Sequence, residues 1–353
     1  MAPNGSYEGK LAVVTGGGSG MGRELVRQIA ARGMAVATCD VNADTVAETV
    51  ALATADAPPG VRVTGHVCDV SDEGQVQRFR DELLAEHATD HVTMVFANAG
   101  TGGGGSFVKD SRAEWERTFA TNWWGVYYCA RTFLPLLIAS GDGVLVNTSS
   151  VNGFWAALGP GMPNNAYATS KFAIKGFTEA LIEDLRCNAP QVRVVLVMPG
   201  HVGTDIIANS RRARGLPAPE QMTDAQVAEL IDDEGREKLT EAGILPKDAS
   251  ADDLRQFLVR VENDFRDKAP LSAAQAATII LEGVSSGAWR ILVGDDAKML
   301  DERVRAKPES AYDYQELFGD LIGQAQEQAA QEQAGQEQAG QEQAGQAQAG
   351  QEA

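Results

Sequence analysis

Tyr167 and Lys171 stand four residues apart. Residues at i and i+4 share one face of a helix, so this spacing sets the lysine ammonium beside the phenol. A free tyrosine titrates near ~10. A neighbouring positive charge favours the phenolate and lowers that value, which turns a poor general base into one useful near neutral pH. A Ser149-Ser150 pair lies upstream, and a glycine-rich run, Thr15-Gly16-Gly17-Gly18-Ser19-Gly20-Met21-Gly22, lies near the start of the chain. A tuned phenol in a chain that also carries a nucleotide-type turn points to nicotinamide-dependent dehydrogenation.

These residues need elements to position them. Short apolar, β-branched runs at Leu11–Val14, Ala35–Cys39, Val61–Val67, Val92–Ala97, Val144–Asn147, Val192–Val197 and Arg290–Val293 alternate with longer helical patterns. That rhythm is the mark of βαβ units with a parallel sheet covered on both faces, so the fold class expected is α/β, a doubly wound seven-stranded sheet of Rossmann type in one domain over 1–320.

Between 205 and 270 the rhythm breaks into a charged stretch with two helical patterns, around Asp224–Glu241 and Ala251–Lys268, and with Arg211, Arg212 and Arg214 near its start. It reads either as a lid over a cleft or as a solvated decoration. From about Gly323 the chain becomes a Gln-Glu-Gln-Ala-Gly repeat with nothing larger than alanine to bury. Such a segment cannot offset its ordering entropy, so 321–353 is expected to be a disordered tail, with oligomerisation or solubility as the alternative role.

The run Leu11–Val14 ends at Thr15-Gly16 and the next helix is expected near Met21, which puts Gly16, Gly20 and Gly22 in a strand-to-helix turn where backbone N–H groups can meet a pyrophosphate. Asp40 closes the second strand at the offset expected for a ribose-binding carboxylate. A carboxylate there accepts from the adenosine ribose hydroxyls and repels a 2′-phosphate, so NAD is expected over NADP; neither Ser19 nor Val41 is basic. The competing role for Asp40 is an N-cap for the helix beginning near Asn42.

Composition narrows the rest. With 353 residues, 44% of them hydrophobic, the chain can bury a large core. A net charge of -19 argues against nucleic acid or an anionic membrane surface as partner, because phosphate binding needs clustered Lys and Arg. Cys39, Cys68, Cys129 and Cys187 have no CxxC spacing, so they read as reduced core residues with neither a metal site nor a disulfide framework. The first residues carry no basic segment followed by an apolar one, and no later stretch is long enough to span a bilayer, so a cytoplasmic location is expected.

The ordered motifs resemble the short-chain dehydrogenase/reductase family from Lys10 to about Gly294. They are Thr-Gly-x-x-x-Gly-x-Gly at Thr15–Gly22, Asp69-Val70, Asn98-Ala99-Gly100, Asn122, Ser150 before Val151, Tyr-x-x-x-Lys at Tyr167–Lys171 and Pro-Gly-x-Val-x-Thr at Pro199–Thr204. The resemblance implies that Tyr167 exchanges a proton with the substrate oxygen and that Ser150 positions that oxygen. Lys171 would lower the Tyr167 pKa and hold the nicotinamide ribose, with Asn122 anchoring a water relay behind it. It also implies that Ser19 and Met21 in the turn, Asp69, Val70, Asn98, Gly100, Pro199 and Gly200 line the cofactor site, and that Thr204 and the Val202 backbone hold the carboxamide. Sliding the alignment by one residue exchanges Ser149 for Ser150; Val151 favours Ser150.

The stretch between Ser150 and Tyr167 is longer than is common in the family. Its Phe154, Trp155 and Met162 are expected to line a substrate pocket, with His201 either touching substrate or serving as a loop residue. Trp123, Trp124, Tyr127 and Tyr128 read as core or subunit packing. The expected function is hydride transfer between NAD and a fairly large apolar secondary alcohol or ketone by a homo-oligomer, dimer or tetramer. The alternatives are an NAD-binding sensor or scaffold without turnover, and an NADPH-dependent ketoreductase.

Overall fold

The computed structural model describes residues 9–159 and 161–320; the glutamine-rich repeat lies outside them. In chain order the elements are β1 (Leu11–Thr15), α1 (Gly20–Ala31), β2 (Ala35–Asp40), α2 (Ala43–Asp56), β3 (Val63–Val67), α3 (Glu73–His87), β4 (Met94–Ala97), α4 (Arg112–Phe119), α5 (Gly125–Ala139), β5 (Gly143–Thr148), α6 (Asn165–Asn188) and β6 (Val192–Pro199). There follow β7 (Val202–Gly203), α7 (Ile206–Ala213), α8 (Asp224–Leu230), α9 (Asp233–Glu241), α10 (Ala251–Asp267), β8 (Leu271–Ser272), α11 (Ala273–Ser285), β9 (Arg290–Val293) and α12 (Asp295–Ala306).

All seven expected strands form, and they pair in parallel in the order β3-β2-β1-β4-β5-β6-β9. Successive side chains of a strand point to opposite faces. Val13 therefore enters one core, with Phe79, Phe133, Leu145 and Ile174, while Val14 enters the other, with Leu25, Phe96, Val146 and Ile280. Both faces being covered explains why the strands read as continuous apolar runs rather than alternating ones. Each fully buried aliphatic or phenyl side chain contributes about 1.5–3 kcal/mol. Three of the cysteines lie in this interior, but Cys187, in the last turn of α6, is exposed, contrary to the core position expected for it.

The chain runs outward from β1 to β2 and β3, then returns to place β4 on the other side of β1. The strand order reverses there, which opens a crevice at the carboxyl ends of β1 and β4. Side chains that satisfy otherwise orphaned N–H groups start several of the surrounding helices: Asn42 for α2, Asp72 for α3, Ser111 for α4 and Ser272 for α11.

The segment between β7 and β8 builds its own small core from Met222, Val227, Ile231, Leu245, Ala249 and Leu254. The helical pattern expected across Asp224–Glu241 is two helices, because Asp232 caps a new helix by accepting from the Gly235 N–H. Two features here were not expected. One is α7; the other is the two-residue parallel pairing of Val202 and Gly203 with Leu271 and Ser272, which closes the segment at its base. Contacts divide the described chain after Asp301. Within residues 302–320, Arg303 pairs with Asp320 at 2.7 Å and Lys307 with Glu316.

Candidate active site

The turn after β1 is shaped by backbone collisions. Gly16 has φ +68°, and a Cβ there would lie 2.7 Å from Ala99 Cα. A Cβ on Gly22 would run into the Gly16 carbonyl, so only glycine lets α1 begin so close to the strand end. Thr15 Oγ1 accepts the N–H groups of Asn98 and Ala99 at 3.0 and 3.1 Å, and Asn98 Nδ2 donates to the Thr15 carbonyl at 3.2 Å. The ends of β1 and β4 are thereby locked together. Asn98 Oδ1 remains buried with no partner.

Asp40 Oδ2 accepts the Gly18 N–H at 3.1 Å and Oδ1 accepts that of Asn42 at 3.3 Å. Asn42, not Asp40, caps α2. Asp69 Oδ1 accepts from the Ser71 N–H and hydroxyl at 2.9 and 2.7 Å, and Val70 is buried against Gly125. A glycine-lined backbone cradle, a carboxylate at the end of β2 and an orphaned buried amide oxygen between them fit an adenine dinucleotide. Thr38, Phe96 and Thr49 support the turn from behind and carried no signal of their own in the sequence.

Helix α6 brings the polar set together. Ser150 shares a hydrogen bond with the Tyr167 phenol, whereas Ser149 Oγ donates 2.7 Å to the Lys171 carbonyl and faces the helix backbone. The register ambiguity between the two serines is resolved by that difference. Lys171 is 4% exposed; its Nζ donates to the Thr148 carbonyl at 3.1 Å and lies 5.4 Å from the centre of the Tyr167 ring. Burial pulls the Lys171 ammonium down to about 8.

The expected lowering of the Tyr167 pKa is not what this site gives. Burial pushes the phenol up, and only the Ser150 hydrogen bond works against it. The physical reason is desolvation, which penalises the phenolate, while the ammonium donates to the Thr148 carbonyl and lies over the ring rather than at the phenol oxygen.

Asn122 lies in a π-helical turn, Ala120–Trp124, that joins α4 to α5, and is completely buried. Its Oδ1 accepts the Thr101 N–H at 2.8 Å, and its Nδ2 donates to the Thr101 carbonyl at 2.9 Å and to Ser170 Oγ at 3.1 Å. The amide thus clamps the loop after β4 to α6, with both Nδ2 hydrogens donated and Oδ1 accepting from Thr101. Gly100 permits the approach: a Cβ there would sit 3.3 Å from Asn122 Oδ1 and 3.5 Å from Lys171 Nζ.

Helix α7 bridges the crevice. Asn209 Nδ2 donates to Ser19 Oγ at 2.9 Å, and Ser210 Oγ accepts the Gly102 N–H at 2.7 Å and the Thr101 hydroxyl at 3.1 Å. Arg214 pairs with Glu114 at 3.2 Å and Arg211 with Glu262 at 2.7 Å. These contacts set α7 against the glycine turn and the loop after β4. Thr204 Cγ2 lies 3.1 Å from where a Gly20 Cβ would stand, so the end of the Pro199–Thr204 motif also meets the glycine turn.

The expected substrate residues scatter. The Phe154 ring lies 5.7 Å from the Arg290 guanidinium, itself paired with Asp301, and so is committed to β9. Trp155 is 6% exposed, and Asn152 Nδ2 holds the Trp155 and Ala157 carbonyls at 2.8 and 2.7 Å, folding the loop back on itself. Met162 is half exposed beside Gly159. His201 Nε2 meets the Phe265 carbonyl at 2.8 Å, which makes it a tie to α10 rather than a free ring.

A family profile described as short chain dehydrogenase matches residues 10–215. An oxidoreductase of Mycobacterium tuberculosis, SadH, is 34% identical over 300 residues, covering 85% of this chain and 91% of that protein. A 3alpha-hydroxysteroid dehydrogenase of Mediterraneibacter gnavus is 28% identical over 200 residues, covering 56% of this chain and 76% of that protein. Among solved structures, a short chain dehydrogenase/reductase from Burkholderia phymatum in complex with NAD superposes with a TM-score of 0.65 at 28% identity, over 86% of this chain and 97% of that one. Levodione reductase, 21% identical with a TM-score of 0.58 over 82% of this chain and 98% of that one, shares the fold. With its parallel sheet, its glycine turn and the convergence of Ser150, Tyr167 and Lys171, the chain belongs to the short-chain dehydrogenase/reductase family of oxidoreductases.

Proposed function

We propose that the protein interconverts a secondary alcohol and a ketone with NAD, and that Tyr167 is its general acid and base. The carrying observation is the Ser150–Tyr167 hydrogen bond with Lys171 Nζ beside the ring, next to the Asn98–Gly100 turn that borders the nucleotide cradle. When bound, oxidised nicotinamide accepts the hydride from the alcohol carbon. Tyr167 takes the hydroxyl proton in oxidation and returns it in reduction: the C–H bonding pair leaves with the hydride, and the O–H bonding pair, left on oxygen when the proton departs, becomes the second bond of the C=O group. Ser150 holds the reacting oxygen, and Lys171 fixes the ring.

NAD rather than NADP is supported by the Asp40 carboxylate at the end of β2, which would face a 2′-phosphate with like charge. The NAD complex of the Burkholderia phymatum relative points the same way. An apolar substrate is supported by exposed Leu158 and Met162 in the loop before Tyr167, by Phe107 and Val108 in the loop that hydrogen-bonds to the start of α6 through Gly105 and Asn165, and by the hydroxysteroid-acting relative. The exposed Trp124 beside Tyr127 and Tyr128 supports a subunit surface on α5 and hence a homo-oligomer.

The test is reduced-nicotinamide absorbance across a panel of secondary alcohols and ketones with NAD and NADP forms. Tyr167→Phe is expected to lower kcat by about three orders of magnitude or more while NAD affinity stays within about twofold, since only the transferable proton is lost. Turnover surviving in that variant would remove Tyr167 from the chemistry. Binding of NAD without turnover across the panel would instead favour a sensing protein.

A further inference from the structure

The loop between β6 and β7 is gripped by two groups that the catalytic set does not include. Asp296, in the first turn of α12, accepts the His201 backbone N–H through Oδ2 at 2.6 Å. A Cβ on Gly200 or on Gly294 would run into the Asp296 carboxylate, and Gly294 holds φ +107°, so both glycines are needed for the carboxylate to reach the loop. A carboxylate bonded to a backbone N–H makes one of the stronger hydrogen bonds in a protein. From another side, the His201 ring reaches the Phe265 carbonyl at 2.8 Å and lies on the Phe265 ring with centroids 4.4 Å apart.

The backbone of His201 is therefore fixed by α12 while its ring is fixed by α10. One residue later, Val202 begins β7, and Thr204 follows against the glycine turn. Asp296 is half-buried and its Oδ1 is buried with no partner, which leaves the His201 N–H as the hydrogen bond of this carboxylate.

We propose that Asp296 is a positioning residue for the nicotinamide end of the cofactor site. By holding the His201 N–H it sets the path of residues 200–204, and with it the backbone and threonine expected to hold the carboxamide in hydride-transfer geometry. Asp296 touches neither cofactor nor substrate. The inference rests on the dehydrogenase reading, because that reading is what assigns Val202 and Thr204 to the carboxamide.

The experiment compares NADH with ADP-ribose, which shares the adenosine and diphosphate but lacks the nicotinamide. Binding of each to the full-length wild type, Asp296→Ala and Asp296→Asn is measured by calorimetry, alongside alcohol oxidation kinetics. Because misplacement of about 1 Å at a reacting centre can cost on the order of a hundredfold, Asp296→Ala is expected to lose about a hundredfold in kcat and about tenfold in NADH affinity, with ADP-ribose affinity within about twofold of wild type. Asp296→Asn retains an acceptor oxygen and is expected to lose only about threefold in NADH affinity, again with ADP-ribose unmoved. Should the alanine variant not fold, the asparagine variant carries the same comparison. Equal weakening of both ligands, or no change in either, overturns the proposal. A wild type that binds neither ligand overturns the dehydrogenase reading itself, and the inference with it.

Discussion

The crevice has two walls built on different principles. The wall at the carboxyl ends of β1 and β4 is made of backbone packed too closely for a side chain: Gly22 against the Gly16 carbonyl and Gly16 against Ala99. The segment that bridges it, from α7 to α10, is held by side chains: Asn209 to Ser19, Ser210 to Gly102, Arg214 to Glu114, Arg211 to Glu262, over a small apolar core of its own. A wall of backbone cannot be displaced without remaking the sheet. A wall of side-chain contacts can be released one contact at a time, as a region with a small separate core should be.

The most severe way to break that contrast is Gly22→Ala. The added methyl meets a carbonyl that cannot retreat, so NADH binding is expected to fall by about a hundredfold or more, and titration calorimetry against wild type measures it. Retained affinity would show that the turn has slack. Leu254→Ala tests the other wall. Leu254 is fully buried, and its truncation should cost about 2–5 kcal/mol, enough to open the small core while the sheet stays folded. Limited proteolysis within 205–270, with an unchanged main unfolding transition, is the expected result. Loss of the whole fold in one step would mean that the two regions are a single cooperative unit.

Charge sharpens the comparison on a finer scale. Asp40→Ser should weaken NAD by about tenfold and narrow the gap to NADP, as loss of a charged hydrogen-bonding partner usually does. Equal NAD affinity would remove Asp40 from ribose recognition. Lys171 offers a pH test inside the rigid region. Its folded pKa, about 8, lies below the usual lysine value, so folding is penalised once the amine protonates: the stability present above the unfolded value is lost as pH falls through about 8. Lys171→Met should therefore stabilise the cofactor-free protein at pH 7 by up to about 3 kcal/mol, with the gain shrinking toward pH 10.5. Thermal unfolding at the two pH values decides it, and a gain independent of pH would refute the burial explanation.

The same buried site sets a direction for turnover. With the phenol pushed up, kcat/KM for alcohol oxidation should climb with pH beyond neutrality, while ketone reduction, which needs the protonated phenol, should fall over the same range. Ser210→Ala carries the smallest expected effect, about a threefold rise in KM, because it removes hydrogen bonds from a contact that can reform elsewhere.

What could be read in the sequence follows this division. The seven strands, the glycine turn, Asp40 at the end of β2 and the Tyr167–Lys171 pair were legible because each is local. Apolar runs reflect covered faces, Gly16 reflects a positive φ, and a spacing of four reflects one helical face. The two-residue pairing of β7 with β8 has no periodicity to detect, and α7 has no side-chain cap to announce its start. Phe154 and Trp155 were chemically suited to a pocket, yet the fold spends one on Arg290 and buries the other.

By itself the sequence determined the sheet, its glycine turn and the residue types of the candidate site, since these rest on contacts between near neighbours and on steric limits of the backbone. Only the tertiary structure decided that Ser150 rather than Ser149 meets Tyr167, that Asn122 bonds Thr101 and Ser170, and that burial, opposed by Ser150, raises the phenol. Those outcomes depend on the direction of a side chain and the solvent denied to it, quantities fixed by residues tens of positions away.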